Sequence, residues 1–352
     1  MGRAPTRQSS MDILRLAAMV AVFVYHLDEL SPVPTSARHL GDVGITLFVM
    51  LSGYGLARSQ GDRPVSFGAF MARKAWRILP SYWLSLALIA IGLTAFTHKR
   101  PTGLDWAAHA SGLHALWPAS PYGATVAANL WFLSLIMALY ALFPWLHRRL
   151  STAPRSLGLI GLVLSHWLLW QAAHRVPGAS LLLHYRGIQY VSPFFAFNVL
   201  PFGLGVLLAR VVAERSRWPA LAAAAVATYY ASIGLSDVAL GVAAFGAVML
   251  TPQLPAPLGR VLARLTAASY EFYLLHHALM GPFYRYWMLH THAAPRWLFA
   301  VVYAASILAV AEGAQRAAAW CVAAIAQRGA HRPRTSDLLR SAIARHATRG
   351  LG

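Results

Sequence analysis

Apolar runs separated by short polar breaks follow one another along the whole chain. Glycines, prolines and charged residues end the runs, and most runs approach the roughly 20 residues that a helix needs to cross hydrocarbon. A helix also satisfies its own backbone polar groups, which lipid cannot do. We therefore predict an all-α, polytopic integral membrane protein with about ten transmembrane helices. The predicted segments are residues 12–30, 40–57, 78–97, 126–146, 156–173, 195–212, 218–233, 238–250, 266–289 and 297–325.

Composition supports this prediction. The 352 residues are 58% hydrophobic and only 12% charged, with a mean hydropathy of +0.51. An average soluble domain is about one quarter charged. The single cysteine, Cys321, excludes an intrachain disulfide framework and any metal site built from several cysteines. We expect no metal cofactor.

The charge is strongly positive and unevenly distributed. A formal net charge of +19 would suit nucleic acid, but the basic residues lie in loops between apolar runs. This pattern favours anionic membrane lipids and a phosphate-bearing ligand, and we expect no nucleic-acid partner. The basic residues divide 22 to 7 between alternating sets of loops, with Arg15 left inside a run. Because cytoplasmic loops carry the Lys and Arg excess, we predict that both termini are cytoplasmic.

The chain contains no detectable internal repeat, low-complexity tract or appended soluble domain. We predict one transmembrane domain over residues 1–327. Residues 328–352 are polar and arginine-rich, which indicates a basic cytoplasmic tail.

The first apolar run carries Asp12 and Arg15 at its start and His26 near its end. Such groups are costly in hydrocarbon, and within a membrane segment they usually mark a functional site that faces the protein interior. Eleven steps of about 100° return a helix to within roughly 20° of its starting face, so Arg15 and His26 share a face about 16 Å apart. Asp12 lies one turn before Arg15, where an i, i+3 pair would fix the guanidinium direction.

His26 is followed at i+3 by Glu29. A carboxylate there would orient the imidazole and raise its basicity, as a general base requires. Alternatively, Glu29 and its neighbour Asp28 only mark the membrane interface. His26 itself could be an ordinary core histidine.

Two further segments allow a functional and a structural interpretation. Arg73 and Arg77 lie one turn apart at the predicted cytoplasmic start of the third helix, where two guanidinium groups would suit phosphates. They could equally be a basic cytoplasmic flank. In the second segment, Gly44, Ser52 and Gly53 are small, and small residues allow close helix packing in lipid.

Five sequence fragments occur in an order that resembles the acyltransferase 3 family of bacterial integral membrane O-acyltransferases. They are DILR at 12–15 with His26, GITLFVMLSGY at 44–54, RKAWRILPSY at 73–82, NLWFLSLIMALYALFP at 129–144 and SYEFYLLHH at 269–277. The fragments extend over most of the membrane domain. The chain departs from the pattern at Ile136 and Met137, where many members have acidic residues, and at Ala278, where proline is usual.

The resemblance implies an enzyme that transfers an acyl group from cytoplasmic acyl-CoA, expected to be acetyl-CoA, to a hydroxyl of a glycan or lipid-linked sugar of the cell envelope. It implies a multi-pass protein of the bacterial inner membrane. We assign the catalytic site to His26, Arg15 and Asp12, and the donor site to Arg73, Arg77 and Ser52. We assign acceptor binding to Glu29, Tyr270, Tyr273 and His276.

Two mechanisms and two other functions stay open at this point. His26 could deprotonate the acceptor hydroxyl for direct transfer, which needs fewer groups, or carry the acyl group itself. A transporter or flippase for an acylated or lipid-linked sugar would use the same buried polar residues as a binding site. A structural scaffold of a polysaccharide export assembly would tolerate the loss of His26.

Overall fold

The protein is almost entirely helical. The computed structural model describes residues 9–28, 36–61, 66–97, 100–116, 125–175, 184–185, 188–189, 195–211, 217–250, 255–291 and 295–330. Within these ranges two strands, β1 (His184–Tyr185) and β2 (Ile188–Gln189), pair antiparallel. The helices are α1 (Ser9–Asp28), α2 (Leu40–Gln60), α3 (Phe67–Phe96), α4 (Gly103–Ala110), α5 (Trp131–Thr152), α6 (Arg155–Arg175), α7 (Val199–Val211), α8 (Trp218–Ser232), α9 (Ser236–Met249), α10 (Ala256–Leu265), α11 (Ser269–Thr291) and α12 (Arg296–Ala330).

Each predicted segment overlaps one of these helices, so the helical class is confirmed. Among the described residues, six helices are long and apolar enough to cross a membrane, and two shorter apolar helices accompany them. The six are Ser10–Asp28, Leu40–Gln60, Phe67–Phe96, Ala128–Thr152, Arg155–Arg175 and Trp297–Ala324. The count of ten crossings and the cytoplasmic position of both termini stay predictions. Of the predicted tail, residues 328–330 belong to α12. Residues 331–352 lie outside the described residues.

Helix α3 begins well before the predicted position 78, at Phe67. The segment before 78 contains no helix breaker after Gly68, so the helix continues through the basic residues. Pro80 lies inside α3 and removes one backbone hydrogen bond, a loss that membrane helices tolerate because neighbouring groups replace it. Arg73 and Arg77 consequently project from a helix, one turn apart.

Helix α2 packs against α1, α7 and α9 at unusually short range. A methyl group at Gly53 would overlap the backbone carbonyl of Phe202 on α7, and one at Gly205 would overlap the carbonyl of Met50. On the other side of α2, a methyl group at Gly44 would overlap Val22 of α1. Gly44 and Gly53 of α2 thus serve close packing, and the contact at Gly44 lies against α1.

We expect Gly53→Ala to lower the free energy of unfolding by about 1–3 kcal/mol, because the added methyl forces two backbones apart. Gly55→Ala on the same helix is the matched control, since a methyl group there meets nothing within 4 Å. Thermal unfolding of both purified variants in detergent measures the difference. Equal melting temperatures would contradict the close contact.

The sequence analysis predicted no helix between 97 and 126, yet α4 lies there and returns along α3. Thr102 and Asp105 start α4 with a reciprocal capping box. Tyr82 donates to the carbonyl of His109 (2.8 Å), and the Trp83 indole donates to the carbonyl of Ala110 (2.9 Å). Tyr82 precedes the end of α3 by fourteen residues, which corresponds to about 21 Å along the helix axis. The end of α4 therefore lies about 21 Å back from the end of α3.

Residues 111–116 then pack beside the start of α5. The Ser134 hydroxyl donates to the carbonyl of Gly112 (3.0 Å) and accepts from the N–H of Ala115 (3.1 Å). Gly112 has φ +71°, a value that favours glycine. The rings of His109 and His114 stack at 4.0 Å, and burial, with His109 nearby, lowers the pKa of His114 to about 3. His114 is therefore neutral near pH 7.

Candidate active site

Two histidines from distant parts of the chain meet between α1 and α11. His26 Nδ1 lies 3.0 Å from His276 Nε2, and the ring centroids are 4.9 Å apart. His276 is 1% exposed, whereas His26 is half-buried. The pair therefore combines a fixed inner ring with a more accessible outer ring.

The surrounding carbonyl groups determine where the protons of this pair lie. His276 Nδ1 lies 2.8 Å from the carbonyl oxygen of Tyr273, and His26 Nδ1 lies 2.9 Å from that of Val22. A carbonyl oxygen only accepts, so both Nδ1 atoms carry protons. In its neutral form His276 Nε2 is then a second acceptor for His26 Nδ1–H, which it shares with the carbonyl of Val22. This arrangement leaves the Nε2 lone pair of His26 as the basic atom.

Side chains from α12 and from the start of α5 hold the backbone of α11 beside His276. The Tyr303 hydroxyl donates to the carbonyl of His276 (2.6 Å). The Asn129 amide donates to the carbonyls of Tyr273 (2.8 Å) and Leu274 (3.2 Å), and the Tyr273 hydroxyl donates to the carbonyl of Asn129 (2.8 Å). These bonds fix the position from which the His276 ring projects.

Aromatic rings complete the surroundings of the pair. The His277 ring lies 4.3 Å from the His26 ring and the Tyr25 ring 4.7 Å from it, between centroids. Phe272 stacks on His276 at 5.6 Å, with an interplanar angle of 4°. The pair thus lies in a largely apolar setting, in which hydrogen bonds are stronger than in water.

At the other end of α1, the predicted ion pair is present. Arg15 Nη1 lies 2.7 Å from Asp12 Oδ1. Asp12 is 1% exposed, whereas the Arg15 side chain is 33% exposed. The buried carboxylate therefore fixes the guanidinium direction, as the i, i+3 spacing predicted.

Arg15 lines a cavity of about 780 Å³ that is bounded by α1, α2, α3, α5, α11 and α12. Lys74 and Arg77 contribute positive charge from α3, and Ser52, Ser81 and Tyr140 contribute hydroxyl groups. The remaining wall is mainly apolar. A polyanionic ligand with a long neutral arm fits this distribution of charge.

Tyr273 connects the cavity to the histidine pair. Its ring lines the cavity together with those of Phe48 and Phe132, and its centroid lies 5.7 Å from that of His276. Phe132 lies 5.0 Å and Phe48 6.0 Å from Tyr273, between centroids. Tyr273 therefore contacts both the cavity and the buried histidine of the pair, His276.

The structure brings most of the sequence-predicted site residues together, with two differences. Ser52, Arg77, Tyr270 and Tyr273 line the cavity, and Arg73 does not. Lys74, which the sequence analysis did not select, takes that place. Glu29, the predicted orienting group for His26, lies outside the described residues. His276, assigned to acceptor binding, contacts His26, and its role towards the acceptor stays a prediction.

The residues missed by the sequence analysis are Lys74, Asn129, His277 and Tyr303. Lys74 lies inside the fragment RKAWR, so its charge was visible in the sequence. The sequence did not show which face of α3 meets the cavity. Asn129 and Tyr303 act on backbone carbonyls of α11, which no sequence pattern reveals. Among the described residues, no group of three or more His, Cys, Asp or Glu could hold a metal ion.

A comparison with protein-family models finds one that matches nearly the whole chain. The acyltransferase domain model, acyltransferase 3, matches residues 8–311. No curated protein and no solved structure matches the chain. The matched range includes both histidines and every residue that lines the cavity except Gln315, Ala318, Ala319, Val322 and Ala323. The chain therefore belongs to the acyltransferase 3 family of membrane acyltransferases.

Proposed function

We propose that the protein is an O-acyltransferase that moves an acyl group, most simply acetyl, from cytoplasmic acyl-CoA to a hydroxyl of a glycan or glycolipid at the outer side of the bacterial inner membrane. The observation that carries this proposal is the pair of His26 and His276, whose hydrogen bonds leave a basic Nε2 close to a cavity with positively charged walls.

The donor would bind with its phosphates at the basic part of the cavity. Lys74, Arg77 and Arg15 supply three positive charges there, and guanidinium groups bind phosphate oxygens in pairs. Arg15 and His26 lie eleven residues apart on α1, which corresponds to about 16 Å. An extended pantetheine arm would cross this distance and bring the thioester to Tyr273 and the histidines.

The chemical step is general-base catalysis of direct transfer. The acceptor hydroxyl gives its proton to His26 Nε2 as its oxygen attacks the thioester carbonyl carbon. The C–S bond then breaks, and the leaving thiolate takes the proton from His26 to become the CoA thiol. His276 accepts a hydrogen bond from His26 Nδ1–H throughout, which stabilises the imidazolium formed in between.

Incubation of the purified protein with acetyl-labelled acetyl-CoA and the glycan fraction of the host tests the proposal. We expect label in a glycan ester and release of free CoA, both dependent on the protein. A transporter or flippase, the alternative raised by the sequence, would move its sugar across proteoliposome membranes and leave acetyl-CoA intact. That result would overturn the proposed function.

We expect Arg77→Gln to raise the KM for acetyl-CoA about tenfold to a hundredfold and to change kcat little, because a charge-assisted hydrogen bond contributes about 1.5–3 kcal/mol. Arg73→Gln is the matched control on the same helix, and its effect on KM should be much smaller because Arg73 does not line the cavity. Steady-state kinetics with varied acetyl-CoA measure both. Equal increases in KM for the two variants would show that the arginines act only through the overall positive charge of this surface and not through a specific contact in the cavity.

A further inference from the structure

One group of polar side chains in the cavity is not explained by phosphate binding or by the histidine pair. Glu271 is 4% exposed and lines the cavity. Its carboxylate accepts hydrogen bonds from the Ser81 side chain and from its own backbone N–H. Its Oε2 atom is buried and has no hydrogen-bond partner among the described residues, and the same holds for the hydroxyl of Tyr270 beside it.

Two buried polar atoms without partners carry an energetic cost. A buried acceptor or donor left unsatisfied costs about 1–3 kcal/mol, so native proteins pair such atoms with protein, water or ligand. Both atoms belong to residues that line the 780 Å³ cavity. Glu271 and Tyr270 therefore place an unsatisfied acceptor, Oε2, and an unsatisfied hydroxyl in the wall of the cavity.

The position of this pair along the helices limits which part of a ligand it meets. Ser81 lies one turn beyond Arg77 on α3, about 6 Å along the axis. Glu271 lies five residues before His276 on α11, about 7.5 Å. The pair of Glu271 and Tyr270 thus lies between the basic part of the cavity and the histidines.

The chemistry of the pair excludes the two ends of an acyl-CoA as its partner. The acidic Glu271 would repel phosphate, and an acyl chain has no hydrogen to donate. The arm between them contains two secondary amides, each with one N–H donor and one carbonyl acceptor. The N–H and carbonyl of one amide together satisfy an acceptor and a hydroxyl side by side.

We propose that Glu271 and Tyr270 form a subsite for one amide of the pantetheine arm, with Oε2 of Glu271 accepting the amide N–H and the Tyr270 hydroxyl donating to the amide carbonyl. Ser81 positions the carboxylate from α3. This inference rests on the proposed function, because it takes acyl-CoA as the donor. It assigns Glu271 to donor binding, and it moves Tyr270 from the acceptor site to the donor site.

The test compares the binding of CoA with that of two CoA analogues, each with one of the two pantetheine amides replaced by an ester. The replacement removes the N–H and keeps the carbonyl. By isothermal titration calorimetry with the purified protein in detergent, we expect one of the two esters to bind at least about tenfold more weakly than CoA. If the wild-type protein binds CoA and both esters equally well, the amide subsite is refuted.

Variants locate the effect at Glu271. Glu271→Ala should reduce the preference for amide over ester to within about twofold, whereas Glu271→Gln, which keeps a side-chain carbonyl oxygen, should retain part of it. Tyr270→Phe is the matched control: it should weaken CoA and ester by the same factor, since both keep the carbonyl. An unchanged preference in Glu271→Ala would overturn the assignment.

The experiment separates this inference from the proposed function. If the wild-type protein binds no CoA and transfers no acetyl group, the proposed function fails and the subsite fails with it. If it binds CoA and transfers acetyl but shows no preference for the amide, the function stands and the subsite is wrong. The comparison of CoA with the two esters uses the wild-type protein. It therefore tests the amide subsite even if a variant fails to fold.

Discussion

His26→Ala is expected to lower kcat for acetyl transfer by about a hundredfold to ten-thousandfold, the usual effect of removing a general base. The substitution removes the Nε2 lone pair that the hydrogen bonds to Val22 and His276 leave available. Steady-state kinetics with saturating acetyl-CoA and acceptor measure the loss. Binding of acetyl-CoA should change little, because His26 does not line the cavity.

This loss of activity is separable from a loss of folding. Polar contacts between membrane helices average only about 0.6 kcal/mol, so the variant should be produced normally and elute as one species in detergent. Arg77→Gln provides the comparison, since it should raise KM and keep kcat. A folded His26→Ala protein that transfers acetyl groups at near the wild-type rate would place the active site elsewhere and favour the transporter hypothesis.

His276→Leu should have the second largest effect, a fall in kcat of about a hundredfold with an unchanged KM for acetyl-CoA. Leucine cannot accept the hydrogen bond from His26 Nδ1–H. The carbonyl of Val22 still keeps the proton on Nδ1, but the imidazolium loses the stabilisation that His276 gives it. Loss of the corresponding orienting group costs more than this in serine proteases. Because His276 does not touch the substrate in the proposed mechanism, it is a positioning residue.

Rescue by a conservative variant distinguishes positioning from packing. Glutamine at 276 can place an amide oxygen near the position of the imidazole Nε2, so His276→Gln should recover a measurable part of kcat. Leucine fills the apolar surroundings of Phe23 and Phe272 at least as well as glutamine does. If His276→Leu is the more active of the two, packing rather than the hydrogen bond would explain the role of this residue.

The elements with strong local signals were predictable from the sequence. Every membrane helix must be apolar over most of its length, so the pattern located the helices. Asp12 and Arg15 were predictable as a pair because i, i+3 spacing determines side-chain proximity within a helix. A different argument selected His26, since an ionisable residue in an apolar helix usually marks a functional site, and its catalytic role stays a prediction.

Features that depend on the relation between helices were not predictable in this way. His26 and His276 are 250 residues apart, and only the packing of α1 against α11 brings them together. The choice of Lys74 over Arg73 depends on the rotation of α3 about its axis. The return of α4 along α3 depends on hydrogen bonds from Tyr82 and Trp83 to backbone carbonyls, which leave no periodic pattern in the sequence.

The hydrogen bonds from Asn129 and Tyr303 to the backbone of α11 have a consequence for how the protein responds to its membrane. In lipid, apolar side chains give little preference for one rotation of a helix over another, because acyl chains solvate them equally well. Hydrogen bonds to the backbone carbonyls of Tyr273, Leu274 and His276 remove that freedom. They hold Glu271 and His276 at fixed angles around the helix axis. The angle of the imidazole towards His26 is therefore set within the protein, and the reaction geometry should not depend on the thickness or the lipid composition of the bilayer.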